Sequence, residues 1–391
     1  MNYDFETLNK ERAGNSAKWD VGQGELPMTI ADMDFKTAPE IIEAVQDKIS
    51  MGLFGYEEIP DEYRKAVADW YETEHGVRPQ EDWMVFATGV VPSISSAVRR
   101  LTSLGDNVLV QAPVYNIFYN SIVNNGRHVV SNDLVYDPQT YQYSIDFQDL
   151  EEKLSDPLTN MMILCNPHNP VGKVWTVEEL TKIADLCLKY DVKLFSDEIH
   201  GDVTFTEDGY NPVFGLEEKY LKNVIVAVSP SKTFNVAAFH ASTVIVPNAN
   251  LRAQVSRGLN SEELAEPNVV AVPGTIAAYT KGHEWLKQLK QKVLANRKLV
   301  LDFLEENVPE IKWIKGDATY LLWFDVSQLT ENVDELTDFI RKDTGLIVTP
   351  GDVYGGDGHH CIRMNIASPT EMIQDGLNRL QKGVNDYKQK D

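Results

Sequence analysis

Five groups of polar residues sit immediately after short apolar runs, and together they could do chemistry. Lys232 follows Val224–Val228, inside Ser229-Pro230-Ser231-Lys232-Thr233-Phe234. Asp197 follows Lys193–Ser196, Asn169 lies in Asn166–Gly172 beyond Met161–Cys165, and Tyr115 closely follows Val108–Ala112. The turn Thr88-Gly89-Val90-Val91 follows Met84–Ala87. A lysine amine forms a Schiff base with an aldehyde cofactor. Pyridoxal phosphate (PLP) also needs an acid beside its ring nitrogen and a cradle for its phosphate. Lys232 suits the aldehyde and Asp197 the ring nitrogen. Backbone N–H groups of Gly89 and Val90 at a helix start, with the hydroxyls of Ser229 and Ser231, suit the phosphate. Tyr115 can stack on the ring, and Asn169 can hydrogen-bond its phenolic oxygen.

The elements that must position these residues follow from the pattern. The five runs above and Thr243–Val246 are continuous rather than alternating, as strands buried on both faces are. Helical segments lie between several of them. In Thr176–Tyr190, Thr176 stands as N-cap with Glu179 at the capping-box position, and Leu180, Ile183, Ala184 and Cys187 mark one face. This alternation predicts an α/β domain on a mostly parallel sheet, whose ligands gather beyond the carboxyl ends of the strands. The last third reads differently. Glu284–Val308 carries an apolar stripe of Leu286, Leu289, Val293, Val300 and Leu304, followed by strand-like Tyr320–Phe324, a helix over Val333–Lys342, strand-like Leu346–Val348 and Ile362–Ile366, and a final helix. The division expected is an N-terminal arm over 1–48, a large α/β domain over 49–285 and a small α+β domain over 286–391, with the helix Pro39–Ile49 packing on the small domain.

The 391 residues carry a net charge of −23, which opposes binding to phosphate backbones and anionic lipid. Neither a nucleic-acid nor a membrane partner is expected. Cys165, Cys187 and Cys361 offer no disulfide framework and no paired zinc spacing; the first two read as core thiols. Residues Met1–Glu6 lack the basic start and apolar block of a signal peptide, so the expected compartment is the cytoplasm. Three motifs are decoys. Ser229–Lys232 matches Ser-x-x-Lys, but the chain has neither Ser-Asp-Asn nor Lys-Thr-Gly. His359-His360-Cys361, with Glu198 and His200, matches no standard metal spacing, so no metal is expected. Gly355-Gly356-Asp357-Gly358 lacks the third glycine and the strand context of a dinucleotide turn.

The ordered set resembles the fold-type-I, class I/II aminotransferase superfamily, and within it the MalY/PatB-type cystathionine β-lyases (C–S lyases). The resemblance runs through Ala31-Asp32-Met33-Asp34-Phe35, Phe54-Gly55-Tyr56, Thr88–Pro92, Asn166–Gly172, Ser196–His200, Ser229–Asn235, Ala318–Leu321, Pro350-Gly351 and Arg363-Met364-Asn365. It implies the three-layer, aspartate aminotransferase-like fold and PLP as cofactor. It implies Lys232, Asp197 and Tyr115 as catalytic residues, with Lys232 bonded to the cofactor and moving the substrate α-proton. Gly89, Val90, Val91, Asn169, His200, Ser229 and Ser231 complete the cofactor set. Arg363 is expected on the substrate α-carboxylate, with Asn169 and Ala31 beside it. Tyr56 is expected to reach the phosphate of a neighbouring subunit, which implies a homodimer. The chain departs from the pattern at His240, where many aminotransferases place an arginine on the phosphate. The activity implied is α,β-elimination from S-substituted cysteines, giving a thiol, pyruvate and ammonia. An aminotransferase on the same scaffold and a PLP-binding protein with a regulatory role are the alternatives.

Overall fold

The computed structural model describes residues 2–9 and 15–390. Met1 of the N-terminal reading and residues 10–14 of the expected arm lie outside the described residues. Seven strands form the large sheet: β1 (Met84–Ala87), β2 (Asn107–Val110), β3 (His128–Ser131), β4 (Thr159–Cys165), β5 (Lys193–Asp197), β6 (Val224–Val228) and β7 (Ser242–Ile245). Their order across the sheet is β1-β7-β6-β5-β4-β2-β3. The pairs from β6 to β3 are parallel, and β7 is antiparallel to both its neighbours. A continuous apolar run encodes burial on two faces but not direction, which is why β7 reads in sequence like the others.

Alternate residues of these strands enter two different cores. Leu109, Met162, Leu164, Leu194 and Val226 face one, while Val108, Val110, Met161, Ile163, Phe195 and Ile225 face the other. Each such side chain contributes roughly 1.5–3 kcal/mol by leaving water, so both faces must be covered. Helices Val90–Leu101 and Val177–Lys189 are among the covers. The second begins as its sequence predicts: Glu179 N–H donates to Thr176 Oγ1 at 3.1 Å, and Thr176 N–H donates to Glu179 Oε2 at 2.9 Å. Cys165 and Cys187 are buried, and burial pushes the Cys187 thiol up to about 12.

Toward the C-terminus, Lys312–Trp313, Leu321–Asp325, Cys361–Asn365 and Thr349–Pro350 form a four-stranded antiparallel sheet in that order. The helices His283–Asn307, Val333–Thr344 and Thr370–Tyr387 accompany it. The early segment Leu26–Pro27 pairs in parallel with Leu346–Ile347. Helix Pro39–Ser50 is an exception to expectation. It packs on Ala271–Lys281, before residue 285.

Candidate active site

Register brings the functional loops to one edge. Cys165 lies opposite Asp197 and Asp197 opposite Ala227, so the carboxyl ends of β4, β5 and β6 are level. The loops that leave them carry Asn169, His200 and Lys232, and Asp197 is itself the last residue of β5. They open into a cleft of about 800 Å³. Ala31, Gly89, Val90, Val91, Tyr115, Asn169, Asp197, His200, Ser231, Lys232 and Arg363 all line it. Gly89 holds φ +138° just before helix Val90–Leu101, a conformation L side chains rarely adopt, so the turn into the helix needs glycine. That turn leaves the first N–H groups of the helix without intrahelical partners at the cleft wall.

The charged groups are arranged around deep burial. Lys232 Nζ donates to the Ala31 carbonyl at 3.1 Å, and burial pushes its pKa down. Asp197 Oδ1 accepts the Ile199 N–H at 3.1 Å. Desolvation raises its pKa to about 7, against the pull of that N–H and of Lys232. Burial, with Lys232 and Arg363 nearby, drives His200 down to about 3, so its imidazole is neutral. Arg363 Nη1 donates to Asn169 Oδ1 at 3.0 Å and Nη2 to the Thr29 carbonyl at 3.2 Å. Because Asn169 spends its oxygen on Arg363, its amide NH2 is the donor left for a ligand. Tyr115 is held by its N–H on the Asn169 carbonyl at 3.1 Å. Two buried nitrogens of cleft-lining residues, Arg363 Nε and His200 Nδ1, have no hydrogen-bond partner among the described residues. Buried polar atoms are rarely left so.

Two expected residues stand elsewhere. Ser229 does not line the cleft: its hydroxyl donates to the Ala241 carbonyl at 2.6 Å and lies 2.8 Å from Ser231 Oγ. It thereby shapes the loop that carries Lys232, and the same bond leaves it badly placed as the nucleophile of a Ser-x-x-Lys enzyme. Tyr56 is 99% exposed on this chain. His240 does line the cleft, in a left-handed conformation with φ +48°. Three residues to which the sequence assigned no role do structural work here. Tyr320 OH donates to the Ala31 carbonyl at 3.0 Å, the same oxygen that Lys232 engages. Asn235 accepts the Met33 N–H and donates to the Met33 and Phe35 carbonyls, at 2.9–3.0 Å. Tyr354 lies under the Arg363 guanidinium, 5.0 Å from its centre. The signal for Asn235 was its type, since asparagine tolerates the left-handed conformation it adopts at φ +57°.

With this geometry in view, comparison with known proteins is decisive. Residues 24–380 match the family described as aminotransferase class I and II. The chain belongs to that family. It is 38% identical to cystathionine beta-lyase PatB of Bacillus subtilis over 98% of this chain and 100% of PatB. It is 32% identical to protein MalY of Escherichia coli, over 96% of this chain and 97% of MalY. Among solved structures it superimposes on PLP-containing cystalysin of Treponema denticola with a TM-score of 0.95 and 33% identity, over 99% and 100% of the two chains. The PLP-bound C–S lyase of Staphylococcus hominis gives 0.90 and 28%, over 98% of each chain. The aspartate aminotransferase-like fold expected from sequence is therefore the observed one.

Proposed function

We propose that this chain is a PLP-dependent C–S lyase of the cystathionine β-lyase type. It cleaves S-substituted cysteines by α,β-elimination: the Cβ–S bond breaks, the thiol leaves with a proton, and water releases pyruvate and ammonium. The observation that carries the reading is the meeting of Lys232, Asp197 and Arg363 in one buried cleft, in a chain matching PatB from end to end.

The residues present fit the cofactor. Asp197 is a desolvated carboxylate whose ionisation burial opposes; a protonated ring nitrogen is the partner that offsets this cost. The Gly89 turn and Ser231 offer donors for a phosphate. His200 and the Asn169 amide line the same cleft and would serve a phenolic oxygen as donors. PLP supplies an electron sink for the substrate α-carbon. The chain supplies the rest. Lys232 holds an amine whose pKa burial depresses, so it is neutral more readily than an ordinary lysine near pKa 10.4 and can take the α-proton. Arg363 binds the α-carboxylate with a planar fork, and its unpaired Nε is a buried donor ready for it. Tyr115, which lines the cleft, would stack against the ring.

The assembly proposed is a homodimer of cytoplasmic subunits, each with a large domain (49–285), a small one (286–391) and an arm (1–48). Met51, Leu53, Phe54 and Tyr56 are 65, 75, 64 and 99% exposed in one continuous segment, an apolar stretch suited to burial against a second copy. Tyr56 would then reach the partner's phosphate site. Three buried free thiols agree with a reducing compartment. Among the described residues no helix is long and apolar enough to cross a membrane.

Incubation of the holoenzyme with L-cystathionine tests the reading. Thiol and pyruvate should appear together without any keto acid. Turnover that depends strictly on an added keto acid, with no thiol released, would make the protein an aminotransferase instead. Absence of turnover with any amino acid would leave it a PLP-binding protein.

A further inference from the structure

The charges in the cleft are few, and most have a role in the proposed chemistry. Arg363 takes the substrate α-carboxylate, Lys232 and Asp197 serve the cofactor, and His200 is uncharged. What remains for the substrate side chain is a mainly apolar wall of Ile30, Ile117, Ile347, Val348, Pro350 and Val353, with Asn116, Thr349 and His240 as the polar side chains beside it. Two of these, Ile30 and Val353, are 40% and 42% exposed on this chain, so the wall continues to the mouth of the cleft. Among the described residues, no lysine or arginine besides Lys232 and Arg363 lines the cleft. The ionisable residues next to this wall in the chain, Asp32 and Asp352, are acids. Close to the Gly89 turn, the Thr88 N–H donates to the Leu264 carbonyl at 2.9 Å, which brings up Ser261–Glu266, where Glu262 is already paired with Arg99 and Glu263 and Glu266 add negative charge. The segment Met51–Glu58 that a second copy would bring adds Leu53, Phe54 and Glu58, with Glu57 already paired with Lys48 at 2.8 Å.

From this wall we infer that the side-chain pocket selects cysteines whose sulfur carries an apolar alkyl or aryl group, over those whose substituent ends in a carboxylate. The inference rests on the C–S lyase reading and names its substrate class. Cystathionine, whose distal end bears both a carboxylate and an ammonium, is then accepted with its charged end left to solvent rather than bound. An anionic end pressed against the wall loses hydration and gains no counter-ion, while carboxylates nearby repel it. An alkyl group gains about fourfold in binding for each methylene it buries, until the wall is filled.

The decisive comparison uses holoenzyme and substrates of equal length. S-propyl-L-cysteine and S-(2-carboxyethyl)-L-cysteine differ at the terminal group, and their leaving thiols are closely similar in basicity. Pyruvate release should give the propyl substrate a kcat/KM at least about tenfold higher, and S-methyl, S-ethyl and S-propyl substrates should rise in that order. S-(2-aminoethyl)-L-cysteine should fall below S-propyl as well. A binding measurement free of turnover is calorimetry with L-norleucine against L-2-aminoadipate, where norleucine should bind at least about tenfold more tightly. Val353→Lys, at a half-exposed position of the wall, should narrow both gaps in favour of the carboxylate. Equal or better handling of either charged substrate, tighter binding of aminoadipate, or gaps unmoved by Val353→Lys would overturn the assignment. Pyruvate from none of these substrates would instead sink the lyase reading itself, so the two failures are distinguishable.

Discussion

Replacing Asp197 by asparagine should stabilise the cofactor-free protein at alkaline pH while crippling the enzyme. Asp197 is 4% exposed, and its pKa rises from 3.8 to about 7 because burial strips water from the carboxylate. An acid whose pKa is raised on folding holds its proton more tightly in the native state than in the unfolded chain. Its effect on stability is therefore nil at pH well below 3.8, grows more unfavourable as pH rises from about 4 to 7, and is constant above that. At about 1.4 kcal/mol per pH unit, the full cost reaches about 4 kcal/mol as an upper bound. Asparagine keeps the acceptor for the Ile199 N–H and removes the charge. Urea unfolding of cofactor-free wild type and Asp197→Asn at pH 5 and pH 8 separates this group from Glu198, whose pKa is also raised to about 7 but which is common to both proteins. The variant should gain on the wild type by roughly 2–4 kcal/mol between the acid and alkaline limits. Adding cofactor should reverse the order, because a protonated ring nitrogen offers the missing counter-charge only to the aspartate. A variant whose stability tracks the wild type at both pH values would refute the reasoning, since burial would then impose no charge penalty at this site.

Two further variants probe the remaining assignments. Arg363→Lys replaces a planar fork by a point charge and should raise KM for the amino acid by about 10–100-fold with a much smaller change in kcat; an unchanged KM would remove Arg363 from the carboxylate site. The double variant Leu53→Glu with Phe54→Glu should halve the sedimenting mass and loosen cofactor retention on dialysis, whereas a mass unaffected by two charges in this segment would place the subunit contact elsewhere.

The chemistry was more legible in the sequence than its scaffolding. Lys232, Asp197 and Asn169 follow apolar runs because a parallel sheet delivers its loops at one edge, and the level ends of β4, β5 and β6 bear that out. The capping box at Thr176 and the buried stripe of His283–Asn307 were equally readable, since both are local. The direction of β7 was not, because two-sided burial hides it. Nor was the partner of helix Pro39–Ser50, since Ala271–Lys281 lies more than two hundred positions away. Ser229 shows the limit of motif reading: its hydroxyl is drawn to the Ala241 carbonyl, a bond that depends on how the loop closes. The role of Tyr320 likewise depends on Ala31, distant in sequence.

That tyrosine points to how the two sheets are coordinated around one lysine. The segment from Met28 to Phe35 is tied from both sides. Asn365, at the end of the strand Cys361–Asn365, donates to the Ile30 and Asp32 carbonyls at 2.6 and 2.8 Å, and Ser368 bonds Asp34 at 2.6 Å. From the other side Asn235, three residues after Lys232, bonds Met33 and Phe35. Buried Lys18 meets Asp34 at 2.8 Å, an ion pair that is costly to break once desolvated. The Ala31 carbonyl, receiving Lys232 and Tyr320 together, lies between these anchors. A shift of the C-terminal sheet therefore moves the acceptor of the lysine amine as well as Arg363, whose Nη2 bonds Thr29 in the same stretch. Lys232 and Arg363 thus both hydrogen-bond carbonyls of one segment of backbone, at Ala31 and Thr29. This gives the Ala-Asp-Met-Asp-Phe stretch a physical reason for its sequence: Asp34 secures it through Lys18 and Ser368, and its Ala31 carbonyl receives Lys232 and Tyr320.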